Sequence, residues 1–131
     1  MNKWQEHELT AKLVQVLAGL QAGSPHHFGQ PYVSTYQLAI ALEQKFPDLV
    51  AAIGKPIGGA HTGQETSLAQ YISNELSKRI KVDRAAYPIE GALIADKYVK
   101  SMTFKDGGGG VIESSLAGSG FPLTLFRLRQ T

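Results

Sequence analysis

The chain has 131 residues, 43% hydrophobic and 18% charged, with a formal net charge of +2; it is long enough to bury about two-thirds of its unfolded surface in one core, and its composition is far from that of a disordered chain. With no cysteine, disulfide frameworks, thiolate zinc sites, iron–sulfur clusters and cysteine nucleophiles are excluded. The start MNKWQEHELTAK lacks the basic-then-apolar pattern of a signal peptide, and no apolar run approaches the ~20 residues of a membrane span, so a cytoplasmic chain with no membrane partner is expected.

In residues 3–20, Leu9, Leu13, Val16, Leu17 and Leu20 recur at three- and four-residue steps, which predicts a first helix with one apolar face. Gly19, Gly23, Ser24 and Pro25 break it, and residues 26–33 are expected to be irregular or briefly extended because Pro31 opposes helix there. Ser34 and Gln37 form a capping box ahead of Leu38, Ala41, Leu42 and Phe46, so a second helix runs up to Pro47. Asp48 is the expected cap of a short third helix, 49–53, which Gly54 ends by tolerating positive φ.

GKPIGGAHTG, residues 54–63, reads as a loop. Thr62 and Glu65 offer a second capping box, and Leu68, Ile72, Leu76 and Ile80 recur every four residues across a helix predicted for 64–81. Beyond Asp83 the segments 89–95, 98–104, 110–116 and 122–129 are β-branched or aromatic-rich and separated by turn residues, which predicts strands. Gly107 to Gly110 after Asp106 marks a turn, one whose four glycines are expected to make a floppy tip. The fold class expected is α+β, helices in the N-terminal two-thirds followed by a small antiparallel sheet, as one domain over 1–131.

Basic residues concentrate in the second half: residues 65–131 hold nine Lys/Arg against four in residues 1–64. On the 64–81 helix, Ser67, Gln70, Asn74, Ser77, Lys78 and Lys81 share one stripe, opposite Leu68, Ala69, Ile72, Leu76 and Ile80. Amides, hydroxyls and lysines are the groups that reach base edges and phosphates in a major groove. Gln70, Asn74 and Ser67 are therefore candidate base readers, and Lys78, Lys81, Lys100 and Lys105 candidate phosphate contacts. The first amides of the helix, following Gly58, Gly59, Thr62 and Gly63, are a further expected meeting point for a phosphate. Glu65, Glu75 and Asp83 dilute the positive field, so such binding should be modest and steeply salt-dependent.

The succession of helix, brief extended segment (31–33), helix (34–46), recognition-like helix (64–80) and hairpin resembles the winged-helix family over residues 9–129. The resemblance implies a DNA-binding module with the glycine-tipped hairpin and Lys97, Lys100 and Lys105 as its wing. The intervening residues 47–63 form an insertion before the recognition-like helix, and the strand content exceeds that of a simple wing.

Other chemistries find less support. His26, His27 and His61 lack metal-ligand spacing and read as exposed loop residues. GKPIGGAHTGQETS fails as a phosphate-binding loop because no Lys-Ser/Thr pair follows its glycines. Ser114 and Ser115 sit in a predicted strand, outside any G-x-S-x-G elbow. The expectation is a non-catalytic protein with no cofactor, metal or catalytic residue. The alternative is a protein-interaction module or homodimer, in which the C-terminal PLTLFRLR offers a free strand edge to a partner.

Overall fold

The computed structural model describes residues 2–24, 26–58, 67–115 and 123–130. Among the described residues five α-helices, α1 (Lys3–Glu6), α2 (Leu9–Gly19), α3 (Thr35–Lys45), α4 (Pro47–Ile53) and α5 (Leu68–Asp83), combine with five strands. The strands are β1 (Val33–Ser34), β2 (Ile89–Ile94), β3 (Ser101–Lys105), β4 (Val111–Ser115) and β5 (Leu123–Leu128). The architecture is α+β, with four of the strands following all the helices. No helix among the described residues is long and apolar enough to cross a membrane.

The expected first helix is two helices. Glu8 sits in the left-handed region at φ 53°, so the chain turns between α1 and α2. The turn lets Trp4 reach the core, where its indole N–H donates to Thr10 Oγ1 at 2.9 Å and its ring meets Tyr71 edge-on. Thr10 Oγ1 also lies 2.8 Å from the Tyr87 hydroxyl, tying α1 and α2 to the entry of β2. Burial holds the Tyr87 hydroxyl above its ordinary pKa, with the Thr10 hydrogen bond opposing that rise.

Ser34 and Gln37 form the expected capping box on α3: Gln37 N–H donates to Ser34 Oγ at 3.1 Å, and Ser34 N–H to Gln37 Oε1 at 2.7 Å. α4 begins at Pro47, so Asp48 lies in its first turn instead of capping it, and proline's fixed φ suits that first position. Gly54 ends α4 at φ 76° as expected. On α5 the cap is Ser67, whose Oγ accepts from Gln70 N–H at 3.0 Å. The Thr62/Glu65 box and the helix start expected at 64 lie outside the described residues.

The main sheet has the order β1-β5-β2, antiparallel throughout, with β5 in the middle. Its register runs from Ile89↔Leu128 to Ile94↔Leu123, and Val33 faces Phe126 on the other side. The expectation that the C-terminal strand offers a free edge is corrected here: β1 bonds one side of β5 and β2 the other. β3 and β4 form a separate antiparallel pair inserted between β2 and β5. Phe126, Leu9, Leu13, Leu38, Leu42, Leu68, Ile72, Leu76 and Ile89 fill the core between the helices and the main sheet, each contributing about 1.5–3 kcal/mol by burial.

Candidate nucleic-acid interface

α5 is positioned by its apolar stripe, Leu68, Ala69, Ile72 and Leu76, all buried in the core. Ser73 adds a polar tie by donating from Oγ to Thr124 Oγ1 of β5 at 3.1 Å. With that side fixed, Asn74, Ser77, Lys78 and Lys81 are exposed and Gln70 is half-exposed beside them. This is the stripe that the sequence spacing separates.

The structure changes the role of two features expected there. Ser67 is only 6% exposed and its hydroxyl caps the helix, so it is a cap and not a base reader. The first amides of α5 are also committed: Leu68 N–H donates to Pro56 O at 2.6 Å and Ala69 N–H to Ile57 O at 2.9 Å. With Gln70 N–H on Ser67, the helix start has its donors satisfied internally and is not the phosphate cradle that the glycine-rich approach suggests.

Along the exposed stripe, Gln70 Nε2 donates to Asn74 Oδ1 at 2.9 Å. Lys78 Nζ lies 2.8 Å from Glu75 Oε2, while Glu75 Oε1 lies 3.1 Å from Arg79 Nη1. The hydrogen bond from Lys78, reinforced by that from Arg79, holds the Glu75 carboxyl below its ordinary pKa against the opposing effect of burial. Arg79 is turned away from the stripe, its guanidinium 4.6 Å above the Trp4 ring. Lys81 has no ion-pair partner among the described residues.

The hairpin β3–β4 is anchored on α3. Phe104 stacks on Tyr36 with ring centroids 5.4 Å apart, and the Gln44 amide fills the space that a Cβ at Gly107 would need. The tip is ordered by Asp106, whose Oδ1 accepts from Gly108 N–H at 2.8 Å and Gly110 N–H at 2.7 Å. A carboxylate that accepts from the amides of its own turn closes it, a tie that the glycines do not supply. Gly58 lies beside both Tyr36 and Ser67, so the tip-proximal end of the hairpin stands near the start of α5.

The expected lysines therefore divide. Lys78 and Lys81 lie on α5; Lys100 is exposed just before β3, and Lys105 borders the cleft between the hairpin and α3, opposite Lys45. His26 and His27 pack their rings on each other and on Phe28, at centroid distances of 4.0–4.6 Å; His61 lies outside the described residues. Among the described residues no group of three or more His, Cys, Asp or Glu is arranged to hold a metal ion. No protein-family model, curated protein or solved structure matches the chain.

Sequence reasoning missed Arg127 of β5 and Arg129 just beyond it. Arg127 Nε lies 2.7 Å from Glu90 Oε2, and its Nη1 donates to Phe28 O and Gln30 O at 3.1 and 2.8 Å. Arg129 donates to Tyr87 O at 2.7 Å and Arg84 O at 2.8 Å. Their alternation with Phe126 and Leu128 signals a polar strand face, but partners up to 99 residues away leave no local trace.

Proposed function

We propose that the chain is a non-catalytic nucleic-acid-binding module of winged-helix type, taking duplex DNA with α5 in the major groove and the β3–β4 hairpin as its wing. The observation that carries this reading is the placement of α5: one face docks on the core and on β5, leaving Gln70, Asn74, Ser77, Lys78 and Lys81 outward together. A helix with amides toward its start and lysines toward its end has base-reading and phosphate-binding groups in the order that a groove requires. The strand between α2 and α3, and the hairpin after β2, also follow the winged-helix succession.

Fluorescence anisotropy of a labelled random-sequence duplex, titrated with the full chain at low and moderate salt, tests the reading. Binding that weakens steeply with salt is expected, because each phosphate neutralised releases condensed counterions. Absence of binding at low salt would overturn it.

A second reading, a protein-interaction module, is supported by the outer edge of β2. Among the described residues β2 is paired only with β5, and its Leu93 is 64% exposed. Light scattering separates the two: the DNA reading expects a mass independent of the substitution Leu93→Glu, whereas an oligomer that this substitution dissociates would favour the edge.

A further inference from the structure

We infer that Gln70 reads an adenine in the major groove and that Asn74 is its positioning residue, an inference that rests on the DNA-binding reading above. Gln70 is the third residue of α5 and Asn74 the seventh, within the first two turns, where a recognition helix meets base edges. Both belong to the outward stripe, and Gln70 Nε2 donates to Asn74 Oδ1 at 2.9 Å.

A primary amide has two N–H groups and one carbonyl oxygen. Donating one N–H to Asn74 leaves Gln70 with one N–H and Oε1, a donor beside an acceptor. Adenine presents the complement, an N6 amino donor beside the N7 acceptor. Guanine presents two acceptors, so Oε1 would face O6; thymine offers an acceptor and a methyl group, and cytosine a donor without the neighbouring acceptor. Adenine is the base matched at both positions.

Asn74 supplies what a lone glutamine lacks. A glutamine side chain turns about three bonds, and ordering it on a base costs rotamer freedom. The hydrogen bond to Asn74 already restrains the amide in the free protein, so less freedom is lost on contact. The charged groups nearby do not compete for that amide: Glu75 is engaged by Lys78 and Arg79.

Selection from a randomised duplex library with the full chain tests the inference, comparing the parent with Gln70→Glu, Asn74→Ala and Lys78→Ala. The parent is expected to enrich one adenine position, and replacing that base by 7-deazaadenine, which lacks N7, should weaken binding about tenfold, the loss expected for half of a bidentate contact. Gln70→Glu should move the preference at that position to cytosine, because a carboxylate accepts from the cytosine amino group. This variant places an acid in the first helical turn, where the dipole favours it, so it should fold.

Asn74→Ala should lower the adenine preference severalfold with little change in affinity for random duplex, whereas Lys78→Ala should weaken all sequences alike and keep the adenine position. Duplex binding by the parent without an adenine position, or an adenine position that persists in Gln70→Glu, would overturn this inference and leave the DNA reading standing. Failure of the parent to bind any duplex at low salt would overturn both.

Discussion

Two rows of polar side chains in the second half of the chain, along α5 and along β5, have similar chemistry and opposite availability. Among the described residues, the outward α5 groups Gln70 and Lys78 bond to neighbours three or four residues away: Gln70 to Asn74, and Lys78 to Glu75. Arg127 of β5 and Arg129 just beyond it clasp carbonyls and a carboxylate across the fold, with Arg127 bound to Glu90, Phe28 and Gln30 and also stacked 4.3 Å from the Tyr32 ring. Local polar pairs in solvent are worth tenths of a kcal/mol and exchange readily, whereas a half-buried arginine bonded to distant elements is part of the framework. The availability of a cation to an outside partner is thus set by the sequence distance of its inside partners.

Arg127→Ala should break the comparison most severely. It leaves Glu90 with only the 3.5 Å contact from Arg129 and frees two carbonyls, with an expected loss of about 2–3 kcal/mol, read as a thermal midpoint lower by roughly 10 °C; a shift under about 2 °C would return Arg127 to the ranks of surface cations. Gly107→Ala comes next. Its Cβ would displace the Gln44 amide, the far end of an exposed side chain that can swing aside, and so loosen one contact between the hairpin tip and α3, costing about 0.5–1 kcal/mol, and hydrogen exchange should rise at β3 and β4 while α5 stays protected.

Lys81→Ala, on the available row, should change stability by less than about 0.5 kcal/mol. The same change should reduce the salt slope of duplex binding by about 1. A stability loss as large as that of Arg127→Ala would erase the distinction between the rows.

The smallest effect concerns acid. The Glu75 carboxyl titrates below its ordinary value in the folded chain, chiefly through Lys78, so its contribution is present above the unfolded carboxylate pKa and is lost as pH falls through the lowered folded value. Glu75→Gln should therefore narrow slightly the gap in thermal midpoint between neutral and acid solution.

The legibility of these features in the sequence follows the same division by range. The α3 capping box, the Gly54 stop, the apolar stripe of α5 and the approximate strand positions depend on residues a few positions apart, and their spacing is sufficient to find them. The break at Glu8 was hidden because no glycine or proline marks it; the pull comes from Trp4 seeking the core. The commitment of the first α5 amides to Pro56 and Ile57 depends on how a preceding loop folds back, which no helical pattern encodes. For the candidate site, the outward stripe was legible, but its internal pairing and the distance of Lys105 from it depended on where the hairpin settles.

The central position of β5 also bears on the order in which the molecule can be made. A ribosome releases β1 and β2 long before β5, and until β5 emerges those strands lack the partner that the finished sheet gives them. Helices α2 to α5 can associate early through contacts between neighbours in sequence, but Val33 waits for Phe126. Such late, long-range closure slows folding and leaves strand edges open in the interval. Until β5 appears, the nascent chain is therefore expected to be a helical cluster with an unclosed sheet, and most exposed to mispairing at the edges of β1 and β2.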